Sequence, residues 1–204
     1  SFSVNNNTVC HGYPVDFYVT NHLTGNSYTW NFGDGTEETT NNRNISHTYT
    51  EASNYNVTLK VVKTTGCEAT SEPTTITINP LPNAEFSSPE TVCTDTEVTF
   101  TAENQDAESY LWFIDETQIE NNNNSTLNYT FTEDSNYEVK LIVSNNGCSD
   151  ENVKTITVNQ LPNAGFESPE AACQGEEVTF TAKINNAQLY IWDIDGVIIE
   201  ENDA

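Results

Sequence analysis

Methionine is absent from these 204 residues, and lysine and arginine together number only 6 against 31 aspartates and glutamates. Nucleic acid is thereby excluded as a partner, because phosphate binding needs Lys and Arg to displace counterions. An anionic membrane surface is disfavoured for the same reason. No apolar run approaches the length of a membrane-spanning helix, so no direct membrane insertion is expected. Strong helix formers other than Glu are sparse, which argues against surface helices. There is no nucleophile elbow, phosphate loop or metal-binding His-Glu motif, and His11, His22 and His47 do not recur along the chain. No Cys-x-x-Cys or His pair is present to make a zinc site. The expectation is a protein that is not an enzyme and needs no cofactor. No charged-then-apolar leader follows Ser1, and both ends read as cuts within a longer chain, so the missing leader says nothing against secretion.

Thr, Asn, Val, Ile, Tyr and Phe are abundant, a composition that favours strands. Regular apolar positions separate the chain from a disordered acidic tail. Its net charge of −25 suits solubility, repulsion along an array and loose capture of divalent cations.

A repeat of about 80 residues organises the sequence. Asn79-Pro80-Leu81-Pro82-Asn83-Ala84 recurs as Asn159-Gln160-Leu161-Pro162-Asn163-Ala164, each followed by a Phe, Phe86 or Phe166. Cys10, Cys93 and Cys173 come next, then the alternating runs around Phe17, Phe100 and Phe180, then a lone Trp: Trp30, Trp112 and Trp192. Tyr55 and Tyr137 open strands that alternate strictly through Val57, Leu59, Val61 and through Val139, Leu141, Val143, and Gly66-Cys67 and Gly147-Cys148 follow. The units are residues 1–79, residues 80–159 and a truncated third repeat at 160–204, too short to close alone.

Period-2 alternation places one face of each strand in a core and the other in water, as in an antiparallel sandwich. Trp30 and Phe32 share parity and point inward before Gly33-Asp34-Gly35 forces a tight turn. The fold class is therefore all-β: tandem immunoglobulin-like antiparallel β-sandwiches joined by short Pro-containing linkers. Trp30, Trp112, Trp192, Tyr55 and Tyr137 are the expected structural core, the tyrosines as corner residues. Pro80 and Pro82 stiffen the linker, and Leu81 or Leu161 is expected to tuck against a neighbour, giving a semi-rigid rod.

Trp30-Asn31-Phe32-Gly33-Asp34-Gly35-Thr36, His47-Thr48-Tyr49 and Tyr55-Asn56-Val57-Thr58-Leu59-Lys60-Val61 closely resemble the pattern of the polycystic kidney disease (PKD) domain. Repeat 2 departs from it, reading Trp112-Phe113-Ile114-Asp115-Glu116 and Tyr129-Thr130-Phe131, and repeat 3 reads Trp192-Asp193-Ile194-Asp195-Gly196. His47 matches the family's structural His, and a packing or turn-bonding role follows from that match. Together with the Pro-Leu-Pro linker and Asn-Gly-Cys turn, the pattern also resembles repeats of very long Bacteroidetes surface proteins, including gliding-motility adhesins exported by type IX secretion. The resemblance implies an extracellular, bacterial cell-surface protein with adhesive or filamentous work.

Intervals of 57 and 55 residues make Cys10–Cys67 and Cys93–Cys148 the expected disulfides, with bridges between neighbouring repeats or free thiols as alternatives. Cys173 has no mate in its own unit. Disulfides imply an oxidising compartment. Calcium is the one metal with candidate ligands, Asp115 with Glu116 and Asp193 with Asp195, whose hard oxygens suit it. Asp34, between two glycines, is expected to bond local backbone, and the Asn run 121–124 to form a solvated hairpin tip.

The leading function is a spacer within a large adhesin or surface filament, its partners being neighbouring repeats and a surface glycan or protein ligand. One alternative is an accessory carbohydrate- or protein-binding module of a secreted hydrolase. Another is a homotypic fibre subunit pairing through edge strands.

Overall fold

A computed structural model describes residues 1–21, 26–120, 122–184 and 187–202. His22 and Asn121 lie outside the described residues. Strands account for all the regular structure described, and no described helix is long and apolar enough to cross a membrane.

Repeat 1 consists of β1 (Phe2–Val4), β2 (Thr8–Cys10), β3 (Pro14–Val19), β4 (Ser27–Asn31), β5 (Glu37–Thr40), β6 (Asn44–Thr48), β7 (Asn54–Val62), β8 (Glu68–Thr70) and β9 (Thr74–Asn79). One sheet runs β1-β3-β6 and the other β2-β9-β7-β4-β5, with β8 also on β7. Repeat 2 follows the same plan with β10 (Phe86–Ser87), β11 (Thr91–Cys93), β12 (Glu97–Ala102), β13 (Ser109–Ile114), β14 (Thr117–Ile119), β15 (Thr126–Thr130), β16 (Asn136–Asn145) and β17 (Cys148–Asn159). Its sheets are β10-β12-β15 and β11-β17-β16-β13-β14. Continuous β17 replaces the broken pair β8 and β9. Among the described residues, each complete repeat contains one parallel pair, β2 with β9 (Cys10 opposite Asn79) and β11 with β17 (Cys93 opposite Asn159).

The alternating residues meet between the sheets as the sequence pattern requires. Val57 and Leu59, with Trp30 and Phe32, are buried in repeat 1, and Val139, Leu141, Val143 and Trp112 in repeat 2. Trp30 packs edge-on to Phe2 at 5.1 Å and beside Phe17 at 5.5 Å. Trp112 repeats this with Phe86 at 5.2 Å and Phe100 at 6.2 Å. Tyr55 and Tyr137 pack at the core edge and bond back four residues, to the carbonyls of Glu51 (2.9 Å) and Glu133 (3.2 Å). That backward bond is the corner geometry of immunoglobulin-like sandwiches.

Repeat 3 contributes β18 (Phe166–Glu167), β19 (Thr181–Ala182), β20 (Leu189–Ile194) and β21 (Val197–Asn202), paired two by two. Phe166, Phe180 and Trp192 rebuild the aromatic triad, with Phe166 and Trp192 5.6 Å apart. No facing strands cover it among the described residues, so Phe166 is 52% exposed and Ile191 61%.

Candidate functional site

The expected disulfides within repeats are not formed. Cys10 bonds Cys148 instead, across 138 residues and between repeats, with 5.7 Å between Cα atoms, and Cys67, Cys93 and Cys173 are free thiols. Strand direction gives the reason. Cys10 ends β2 opposite Asn79, close to the start of β7, where Asn54 faces Thr77. Cys67 follows the far end of β7, nine residues on. At about 3.4 Å per residue these cysteines stand roughly 30 Å apart, whereas a disulfide needs Cα atoms within about 7 Å. Cys93 and Cys148 are separated in the same way by the ten residues of β16. Each repeat thus has an entry end carrying the Gly-Cys turn and an exit end carrying the other cysteine. Stacking entry to exit brings Cys148 onto Cys10.

The rest of the junction is built to fit. Asn146 and Gly147 both have positive φ, 51° and 75°, and Asn145 pairs with Cys148, so they form the two-residue hairpin turn that Asn-Gly favours. This turn projects toward repeat 1, where Asn79 Nδ2 donates to the Asn146 carbonyl at 2.8 Å. The His11 amide donates to the Asn79 carbonyl at 2.8 Å and fixes that end of β9. Leu81 lines the groove with Cys10, Tyr13 and Gly147 but stays 40% exposed, and Pro82 and Ala84 are the buried residues of the linker motif. Leu161, at the next linker, is also exposed. On the chain-entropy model, a cross-link closing this loop stabilises the chain by about 5 kcal/mol.

The second polar constellation lies at the turn after the Trp strand of repeat 1. Asp34 Oδ1 accepts from the Thr36 amide (2.9 Å) and hydroxyl (2.6 Å), and Asp34 Oδ2 contacts His47 Nε2 at 2.7 Å. His47 stacks flat on Phe32 at 3.9 Å, and Tyr49 OH donates to the Phe32 carbonyl at 3.1 Å. Partial burial pushes the Asp34 carboxyl upward, but the bonds from Thr36 and His47 outweigh it and hold it below the usual carboxylate value. Both polar side chains are therefore engaged in holding the turn. His11 is likewise engaged, with Nε2 2.8 Å from the Thr50 carbonyl.

The calcium candidates occupy equivalent turns and are turned onto backbone. Asp115 and Glu116 both have positive φ (45° and 65°), and Asp115 Oδ1 accepts from the Glu138 amide at 2.9 Å. Asp193 Oδ1 accepts from the Gly196 amide at 2.9 Å, and Asp195 has a φ of 50°. Among the described residues, no three His, Cys, Asp or Glu side chains converge as a metal site would require. Within the Asn run, the structure differs from a merely solvated tip. Asn123 accepts from the Tyr110 amide at 2.6 Å and donates to the Glu108 carbonyl at 3.0 Å, and the Asn124 carbonyl accepts from Trp112 Nε1 at 3.2 Å. No periodicity marks such a bond, because it joins a loop side chain to strand backbone.

No protein of curated function matches the chain in sequence. Solved structures that resemble it include the fibronectin(III)-like modules of Clostridium thermocellum CbhA, at 15% identity and a TM-score of 0.40, covering 78% of this chain and 95% of that one. Murine CEACAM1b is similar at 12% identity and a TM-score of 0.38, over 79% of this chain and all of that one. A Bacteroides ovatus glucan-utilisation protein, SGBP-B, solved with a mixed-linkage heptasaccharide, is 13% identical, with a TM-score of 0.30, over all of this chain and 59% of that one. The PKD domain family model matches twice, at residues 3–78 and 79–160, which is most of the chain. With two complete sandwiches joined end to end, this chain belongs to the PKD domain family.

Proposed function

We propose that these repeats are a non-catalytic spacer within a large extracellular adhesin or surface filament, presenting a distal adhesive region away from a bacterial cell. The carrying observation is the Cys10–Cys148 bond, which joins consecutive sandwiches covalently at their facing ends. A linker alone fixes a distance. A linker plus a second covalent tie beside it opposes bending, which is what a spacer requires. The hydrogen bond from Asn79 to Asn146 supports the same axis. A disulfide also suits export to an oxidising compartment, and the acidic surface suits repulsion along an array.

A glycan-binding platform draws less support. In the two complete repeats, Tyr13, at 60%, is the one exposed large aromatic among the described residues. Trp30 and Trp112 are buried in the cores. The reading is tested on the native polypeptide, by its mass and by mapping the peptides that flank these residues. A chain many times longer, composed of further such repeats, is the expected result. A flanking catalytic domain on a short polypeptide would overturn it and make these repeats accessory modules.

A further inference from the structure

The exit end of repeat 2 reproduces the exit end of repeat 1, except that nothing is docked on it among the described residues. Cys93 pairs in register with Asn159 as Cys10 does with Asn79. The Thr94 amide donates to the Asn159 carbonyl at 2.8 Å, the same bond that His11 makes to Asn79. The Leu161 amide is held by buried Thr94 Oγ1 at 3.1 Å, which fixes the start of the following linker. Two groups differ in state. Asn79 gives its side-chain amide to the incoming Asn146 carbonyl, whereas the exposed Asn159 side chain has no hydrogen-bond partner among the described residues. Cys10 is oxidised, whereas Cys93 is a partly buried free thiol.

The complementary half is present, also unused, at the entry end of repeat 1. Gly66 (φ 82°) closes a turn in which the Lys63 amide and Cys67 carbonyl bond at 2.8 Å, and exposed Cys67 leads into β8 as Cys148 leads into β17. Among the described residues, one socket and plug are joined (Cys10 with Cys148), and a second socket (Cys93, Asn159) and a second plug (Gly66-Cys67) are not joined to each other.

We infer that the inter-repeat disulfide is a recurring register, in which the first cysteine of each repeat bonds the Gly-Cys turn of the repeat that follows it. The occupant of the Cys93 socket is then the Gly-Cys turn of a complete third PKD unit, and Cys67 is the half that docks on a preceding one. Cys173 is the first cysteine of the third unit and holds the place that Cys10 and Cys93 hold in theirs. Each bond removes two protons and two electrons from a pair of thiols, and a small disulfide oxidant such as oxidised glutathione takes them up and becomes two thiols. The inference rests on the spacer reading but fails separately from it. Binding of a glycan would sink the spacer and leave the bond pattern untouched.

The test is a fusion of residues 1–164 directly to a second copy of residues 1–204. Ser1-Phe2 there replaces Gly165-Phe166 after the natural linker, so repeat 1 of the second copy stands in the third position. After folding in a glutathione buffer, alkylation and peptide mapping should find Cys10–Cys148 in both copies and Cys93 of the first copy bonded to Cys67 of the second. Those two thiols should lose alkylation by at least about tenfold relative to the 204-residue chain, since tethering raises their effective concentration. If both Cys10–Cys148 bonds form while this Cys93 and Cys67 remain alkylated, the inference is wrong. The unmodified 204-residue chain gives a second reading that does not depend on the fusion. Cys67 and Cys93 should both alkylate without denaturant, and a disulfide between them, or from Cys93 to Cys173, would overturn the register.

Discussion

Repeats 1 and 2 hold the same tie point with different chemistry. In both, the turn after the Trp strand must meet the residue that follows the corner tyrosine. In repeat 1, Gly33 lies so close to Asn56 that an added Cβ would stand 2.8 Å from the Asn56 carbonyl oxygen, and the clamp of Asp34, Thr36 and His47 shapes the loop beyond. In repeat 2, Asp115 reaches the equivalent Glu138 by hydrogen bonds from its own amide (3.0 Å) to the Glu138 carbonyl and from the Glu138 amide to its carboxylate. Close backbone contact in one repeat is exchanged for a carboxylate bond in the other. The Gly-Asp-Gly signature is thus one of two solutions to a fixed geometric demand, and its loss in repeat 2 leaves the sandwich intact.

The largest expected effect comes from removing the tie that carries force past most of both repeats. Under single-molecule pulling, the oxidised chain should yield no length from the residues between Cys10 and Cys148. Reduction, or Cys10→Ser, should release about 500 Å more, at roughly 3.6 Å for each of the 138 residues. Equal extension before and after reduction would show that the bond is absent. Only in the reduced chain do the separate stabilities of the repeats become measurable.

Gly33→Ala should then destabilise repeat 1 by about 3 kcal/mol, from left-handed strain and overpacking together, and leave repeat 2 unchanged. Gly35→Ala, also at positive φ but with open space around it, should cost about 1 kcal/mol. Chemical denaturation of the reduced chain separates the two, and equal losses would refute the close contact at Asn56.

Acid should distinguish the repeats next. Asp34 has a folded pKa below its unfolded value, so its contribution is present above about pH 4 and is lost as pH falls through the depressed folded value. Repeat 1 should therefore weaken more steeply than repeat 2 below about pH 4, and Asp34→Asn should flatten that difference. An unchanged acid profile in the variant would remove Asp34 from the account.

The smallest effect concerns the indole nitrogens. Trp112 Nε1 donates to the Asn124 carbonyl, whereas buried Trp30 Nε1 has no partner among the described residues. Trp112→Phe should lose about 1 kcal/mol for its hydrogen bond beyond the packing loss that Trp30→Phe shares.

How much of this was legible depended on what kind of contact carried it. Alternation at Val57, Leu59 and Leu141 announced the buried faces, and the position of Tyr55 and Tyr137 announced the corner bond, because both follow from local register. Cysteine pairing is a question of which end of a sandwich a residue occupies, and membership of a repeat does not reveal it. The needed signal was present in the length of the strand opened by Tyr55, which carries Cys67 too far from Cys10 to bond. The parallel pairing of β2 with β9 left no trace in the hydrophobic pattern. Nor did the bonds of Asn123, whose neighbours in sequence are also asparagines.

The parallel strands have one more consequence. Once the Cys10–Cys148 bond is reduced, force applied at the two ends of a repeat enters through β2 and leaves through β9, and these strands lie side by side and point the same way. Tension therefore slides one along the other and loads their hydrogen bonds all at once, including those from the Thr77 amide to Asn7 and from the His11 amide to Asn79. An antiparallel terminal pair would open like a zipper, one bond at a time. Repeat 2 has the same arrangement in β11 and β17, so each reduced sandwich resists in shear, the strong direction of a sheet, while the intact disulfide spares both pairs that load.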